Sequence, residues 1–292
     1  MSVTLAQQQY LTNDYLQKGV IATFTEHSAV LKYLPFLTIN ANSYVYNKEN
    51  ALPGAAFRAV NANYVESAGT VTNATETLKI LGGSVDIDRY LSLTQNVNDI
   101  KALQTSMLAK SVALDFDSAF FKGDCDSTAT EFDGLENRIT GDQATDVSAT
   151  LTLDHLEALI DNVRGEPDVI FCDKDVIRKA NTLARAAGQA FEYVDGGFGR
   201  LIPMYGGIPL VAIETDSAGN DILKSDDSET LYDIYGVKLG PDKVIGLQAA
   251  PMTVIDHGLY SGGALERVTI EWIVSFIVGE SKAAARIYNV TL

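Results

Sequence analysis

The stretch Asn40-Ala41-Asn42-Ser43-Tyr44-Val45-Tyr46-Asn47-Lys48-Glu49-Asn50 decides how the chain must be read. Tyr44 and Tyr46 alternate with Ser43, Val45 and Asn47, the period of an extended strand. A turn signal follows at Leu52-Pro53-Gly54, then comes Phe57-Arg58-Ala59-Val60. Residues 75–81 form a second extended run, which Gly82-Gly83 is expected to break. Between 40 and 75 asparagine recurs and large apolar side chains are scarce. A two-stranded ribbon with no sheet or helix behind it is marginal in water. This segment therefore has to lean on another surface, either the body of its own chain or a neighbouring subunit.

What surrounds the ribbon can supply a body. Residues 1–38 read as an arm, with Thr12 and Asn13 as caps of a short helix and an apolar patch, Ala29 to Leu34, stopped by Pro35. Val85 and Ile87 alternate with Asp86 and Asp88 as a half-buried strand. Residues 98–122 are the strongest helix, with Asn98 able to cap it and Gly123 able to end it. Ile100, Leu103, Met107 and Leu114 share one side, and Leu108, Val112, Phe116 and Phe120 widen the stripe. Such a helix is a rod of roughly 37 Å, suited to be a spine.

Residues 124–250 have α/β texture. Thr152 precedes an amphipathic helix closed by Gly165 and Pro167. Val169-Ile170-Phe171 is a short buried strand, and Asp173 caps the next helix. Strands are expected at 208–213, 233–239 and 244–247. Late in the chain Val268, Ile270, Trp272, Val274 and Phe276 share one face of a long strand. That face matches residues 85–91, and the two are expected to pair beside the rod, which makes 124–250 an insertion between two parts of a spine unit.

Charge narrows the function. The chain of 292 residues carries net −16, and residues 101–250 hold 26 of its 38 acidic but only 13 of its 22 basic side chains. Such a surface repels phosphate backbones, so nucleic-acid binding through a basic footprint is excluded; a solubilising face is the plain reading. No run of 18 apolar residues occurs and no secretory signal stands at the start. Cys125 and Cys172 form no C-x-x-C pair, which fits a reduced, cytoplasmic setting.

Signals for catalysis are absent from the sequence. There is no H-E-x-x-H, no Cys/His cluster, no phosphate-binding glycine motif and no G-x-S-x-G. Cys172 follows a strand, but Asp173 beside it raises a thiol pKa, and a buried core residue is the simpler reading. The acidic loops at 124–136 and 216–229 lack glycine at the sixth position of a calcium loop, where Ala129 and Asp221 stand. Gly196-Gly197-Phe198-Gly199 is a flexible turn, and His155 sits early in a helix without a catalytic partner. No catalytic residue, cofactor or metal is expected.

The order of the parts carries a resemblance. Leu31-Lys32-Tyr33-Leu34-Pro35-Phe36 comes first, then Tyr44-Val45-Tyr46-Asn47-Lys48-Glu49 with Leu52-Pro53-Gly54 and Phe57-Arg58. After Glu66-Ser67 and Gly69-Thr70, Ile80-Leu81-Gly82-Gly83 leads to Val85-Asp86-Ile87-Asp88-Arg89. The spine helix follows, then Tyr205-Gly206-Gly207-Ile208-Pro209-Leu210, Arg267-Val268-Thr269-Ile270-Glu271-Trp272 and Ala283-Ala284-Ala285-Arg286-Ile287. This layout resembles the major capsid protein of tailed double-stranded DNA bacteriophages, an α+β chain of the Hong Kong 97-type fold.

The resemblance implies a division of the chain. Residues 1–39 become an N-terminal arm and 40–80 an extended loop reaching over a neighbour. Residues 81–123 with 251–284 become a peripheral domain containing the spine helix. Residues 124–250 with 285–292 become an axial domain around five- and six-fold axes. It implies a structural virion protein, not an enzyme, whose copies form pentamers and hexamers of an icosahedral shell around DNA held without sequence-specific binding, assembled in the host cytoplasm without a membrane. Tyr44, Tyr46 and Phe57 are then candidate anchors to the adjacent copy, with Lys48, Glu49, Arg58 and Glu66 around them; contact with their own chain is the alternative. Because Met1 stands fewer than forty residues before the loop, a separate scaffolding protein is expected; the resemblance also implies a portal, with or without a decoration protein. An encapsulin-like compartment shell is the nearest alternative, and a soluble α/β enzyme the more distant one.

Some relatives join a loop lysine to a peripheral-domain asparagine. Lys48 is available, but residues 251–288 contain no asparagine. A shell without covalent cross-links is expected: denaturing electrophoresis of purified particles should give one band at 31.5 kDa, and a ladder of multimers would refute it.

Overall fold

The computed structural model describes residues 3–4, 27–51, 53–94, 100–188, 191–195, 201–225, 230–260 and 263–292. Thr12, Asn13, Asn98 and the glycine turn at 196–199 lie outside the described residues.

In chain order the elements are β1 (Val3–Thr4), α1 (Val30–Tyr33), β2 (Pro35–Thr38), β3 (Ser43–Ala51), β4 (Thr70–Thr77), β5 (Lys79–Asp88), α2 (Arg89–Thr94) and α3 (Ile100–Lys122). Then come α4 (Leu135–Arg138), β6 (Ala144–Asp146), α5 (Leu153–Asn162), β7 (Val169–Asp173), α6 (Lys174–Ala186), β8 (Glu192–Asp195), β9 (Leu201–Tyr205) and β10 (Ile208–Ile213). The chain closes with β11 (Tyr232–Val237), β12 (Val244–Gln248), β13 (Thr253–Tyr260), β14 (Leu265–Val278) and β15 (Ala284–Val290). One sheet runs β1-β2-β12-β14-β13 with β5 also on β14; a second runs β6-β15-β11-β7-β10-β9-β8; β3 and β4 form a ribbon.

The expected pairing across the chain is present for residues 85–88 of the run 85–91, since Arg89 already opens α2. β5 lies antiparallel to β14 from Lys79↔Val274 to Asp88↔Leu265. Gly82-Gly83 does not break this strand, contrary to the expectation. A Cβ on Gly82 would stand 2.2 Å from the Ile270 carbonyl oxygen, and one on Gly83 2.8 Å from Leu108 Cδ1. The glycines thus let two backbones and a helix side chain approach, the other meaning of glycine inside a strand. β12 differs too. Sequence texture groups it with the acidic lobe, yet it pairs antiparallel with β14 and parallel with β2.

The spine helix forms with its buried face rotated from the expected stripe. Leu103 and Met107 are 55% and 57% exposed, while Ala109, Val112, Ala113, Phe116, Phe120 and Phe121 are buried. Leu103 and Met107 stand two residues either side of the buried Thr105, which puts them across the helix from the face that Thr105, Leu108 and Ala109 turn inward. Phe116 meets Trp272 at 5.1 Å and Phe120 meets Phe276 at 4.6 Å, both on β14. Phe121 meets Phe171 at 5.5 Å and Tyr235 at 5.1 Å, on β7 and β11 of the other sheet. Each aromatic pair contributes about 0.5–1.5 kcal/mol beyond its buried area. α5 and α6 cover the opposite face of the second sheet.

Several polar side chains are buried among the described residues, and one of them ties the arm to the spine. Asp117 of α3 is fully enclosed, accepting from Ser28 Oγ at 2.5 Å and from the Ala29 N–H at 3.2 Å. It fastens the start of α1 to the spine. Burial pushes its carboxyl up to about 7, against the opposing pull of these donors and of Lys32. The folded chain therefore holds a proton that the unfolded chain releases near pH 4, so stability falls as pH rises from about 4 to 7, by roughly 4 kcal/mol at most. Thermal melts between pH 5 and 8 should show a downward slope that Asp117→Asn flattens; equal slopes would refute this role.

Candidate functional site

β3 and β4 pair antiparallel from Ser43↔Thr77 to Ala51↔Thr70, with a shift of register between Glu49 and Ala51. At about 3.4 Å per residue, nine residues carry the ribbon some 30 Å out. The two ends of the ribbon are built differently, and the difference follows from which side chains find partners.

The root is fastened. Tyr44 and Tyr46, on one face of β3, are half-buried against a cluster of Leu78, Ile245, Leu247 and Ile277. Glu76, opposite Tyr44, accepts from Ser275 Oγ at 2.6 Å and pairs with Arg138 Nη2 at 2.9 Å. The Arg138 guanidinium also lies 4.6 Å over the Phe276 ring. Lys48 is half-buried here, and burial together with the Arg138 charge lowers its ammonium pKa. Burial likewise raises the Tyr46 phenol, with Arg138 opposing.

The tip is open. Every residue from 53 to 69 is exposed, and the polar contacts that order the loop are its own. Arg58 Nη1 donates to the Ala62 carbonyl at 3.2 Å, and its guanidinium lies 5.2 Å over the Tyr64 ring. Ser67 Oγ donates to the Gly54 carbonyl at 2.9 Å. Asn61 takes φ of 68° at the turn, a conformation asparagine tolerates. Phe57 is 108% exposed, with Val60, Tyr64 and Val65 also bare. Four large apolar groups held in water on an ordered loop mark an interaction surface.

The seven candidates therefore separate. Tyr44, Tyr46 and Lys48 face their own chain at the root. Phe57, Arg58 and Glu66 stand at the open tip. Glu49 is placed by its backbone alone, paired with Val71. Val60, Tyr64 and Val65 were missed, because isolated apolar residues among Ala and Asn give no periodic signal.

A second bare apolar surface lies on the outer face of β5, β14 and β13. Ile80 is 67% exposed beside Ile273, Ile255 and Tyr260, and Gly82 leaves a dent among them. Arg267 bridges its edge, donating from Nε and Nη2 to the two carboxylate oxygens of Asp86 at 2.6 Å each and lying 3.9 Å over Tyr260.

The features that suggested chemistry are accounted for locally. Cys172 is buried and its thiol pKa is driven well up by burial and by Asp173. His155 Nδ1 accepts from the Thr152 N–H at 3.3 Å as half of a capping box. Asp124 accepts from Ser127 Oγ and the Asp126 N–H, and Asp216 from Asn220, each within its own turn. Among the described residues no group of three or more His, Cys, Asp or Glu could hold a metal ion, and no helix is long and apolar enough to cross a membrane.

Two sheets joined by one long helix, with a ribbon projecting past both, define a subunit of the Hong Kong 97-type shell fold. The profile of the phage capsid family matches residues 8–184. The chain belongs to that family and is a structural capsid protein of the virion, whose copies associate into the capsomers of an icosahedral shell. No curated protein matches it by sequence. Among solved structures it is similar to the holo-SrpI encapsulin complex from Synechococcus elongatus PCC 7942, at TM-score 0.69 and 19% identity over 90% of this chain and 87% of that one. It is also similar to Microbacterium phage Oxtober96, at TM-score 0.65 and 13% identity over 90% and 91%. The capsid of an empty GTA particle gives TM-score 0.65 and 14% identity over 91% and 90%.

The root contacts make a testable claim. Arg138→Ala leaves Glu76 with one partner and should lower the unfolding free energy by about 1–3 kcal/mol. Urea titration checks this, and proteolysis should then cut near residues 43–50 and 70–77 faster than in the parent.

Proposed function

We propose that the ribbon is the fastening of the shell: its tip seats on an adjacent copy, on the outer face of β5, β14 and β13. The observation that carries this reading is the ordered tip whose Phe57, Val60 and Val65 stand bare, with Tyr64 covered only by Arg58 of the same loop. Burying a Phe and a Val side chain is worth about 1.5–3 kcal/mol each, and a closed shell repeats the gain at every subunit. Arg58 and Glu66 then flank the apolar contact, and Tyr44, Tyr46 and Lys48 hold the ribbon's angle from its root.

On the same reading residues 1–39 act as an arm, 81–123 with 251–284 and β12 as a peripheral domain, and the rest of 124–250 with 285–292 as an axial domain around the capsomer axis. The shell encloses double-stranded DNA, whose phosphates the acidic surface keeps from sticking to the wall. Assembly takes place in the host cytoplasm with a separate scaffolding protein and a portal. The seat of Lys48 at the root, half-buried beside Arg138, supports a shell held without covalent links.

Electron microscopy and velocity sedimentation test the reading. The parent protein should form rings or closed particles, and Phe57→Ser with Val65→Ser should leave soluble, folded subunits that do not close. Full-sized particles from the double variant would overturn the tip's role. Particles filled with an enzyme instead of DNA would favour the encapsulin-like alternative.

A further inference from the structure

α5 and α6 lie in contact on one face of the second sheet, and their outer surfaces carry opposite charge. On α5, Asp154, Glu157 and Asp161 recur at spacings of three and four, all exposed. On α6, Lys174, Arg178 and Arg185 form a basic ridge, with Asn181 between Arg178 and Arg185. Spacings of i, i+4, i+7 and i+11 put these four on one helix face. Their cores explain the placement, since Leu156 and Leu159 of α5 and Val176, Ala180 and Ala184 of α6 point the other way, into the sheet.

The ridges do not neutralise each other within the chain. Lys174 reaches Glu214 at 2.5 Å, and Arg178 reaches Asp175 of its own helix at 3.0 Å. Both cations remain largely exposed, at 61% and 76%. Arg185 donates from Nε to the Asn181 carbonyl at 3.2 Å and meets no carboxylate among the described residues. Asp154 and Asp161 meet no cation there either, and Glu157 accepts only from the Tyr205 hydroxyl, at 3.0 Å. The basic ridge borders the β8 end of the sheet, where Phe191 and Tyr193 line the same cleft, while α5 packs over β15 and β11.

We infer that these ridges form a second contact between copies, with Lys174, Arg178 and Arg185 of one subunit against Asp154, Glu157 and Asp161 of the next. The occupant follows from charge. Subunits of net −16 repel on close approach, and a shell brings them close. A basic ridge among so many carboxylates is the place where that repulsion reverses. Its complement is a carboxylate ridge, which every other copy presents. Such a contact sets the register between neighbours and excludes wrong approaches more than it adds affinity. This inference rests on the shell reading but uses a surface separate from the ribbon.

Charge reversal tests it. Arg178→Glu with Arg185→Glu should raise the concentration needed for half-assembly at least about tenfold at low salt. Asp154→Lys with Asp161→Lys should do the same. The four changes together restore opposite charge across the contact and should bring assembly back to within about threefold of the parent. Unchanged circular dichroism and melting of the unassembled subunits show that the fold is kept. Reversal variants that assemble like the parent, or a fourfold variant no better than the doubles, would overturn the inference. Failure of the parent itself to assemble would instead sink the shell reading.

Discussion

Phe120 and Phe121 are neighbours on α3, and the molecule depends on their pointing different ways. Successive helical residues diverge by about 100°, so one ring enters the sheet built on β14 and the other enters the sheet containing β7 and β11. Two sheets of separate connectivity are held to a single rod by consecutive side chains. Trp272 and Phe36 extend the contact on one side, with rings 5.3 Å apart. Overpacking or emptying this junction therefore disturbs both sheets at once, whereas either sheet alone tolerates change at its far edge.

The ribbon inherits its direction from that junction. β4 passes into β5 through Leu78, whose N–H donates to the Asn42 carbonyl, and β5 is locked along β14. Phe276 belongs to the aromatic junction and also carries Arg138, which holds Glu76 at the ribbon's root. A continuous path of contact thus connects the core to the first residues of a projection whose far end touches nothing of its own chain. Rigidity at the root and bareness at the tip together suit a fastening, because ordering entropy is already lost before a partner arrives.

Much of this was legible in the residues. The ribbon announced itself by alternation without grease, the spine helix by its length, and the pairing of residues 85–91 with the long strand from Val268 by two matching alternating faces far apart in sequence. Thr152 and Asp173 cap their helices as their types require. The candidate site was half legible. Phe57 and Arg58 stand out as the large residues of an Asn- and Ala-rich loop, but Tyr44 and Tyr46 look the same whether they face a neighbour or their own root.

The order of local patterns along the chain, by itself, settled which segments are extended, which are helical and where charge concentrates, because alternation, capping and composition are properties of neighbours in sequence. Only the tertiary structure decided which face of α3 is buried, why Gly82-Gly83 continues a strand, that β12 belongs with β14 and β2, and which ribbon residues are free. Each of these turns on the distance between atoms remote in sequence: the Ile270 carbonyl over Gly82, β5 closing on the Leu108 side of α3, Arg138 arriving at Glu76. A periodicity states what a segment can bury; what it does bury is fixed by what arrives to cover it.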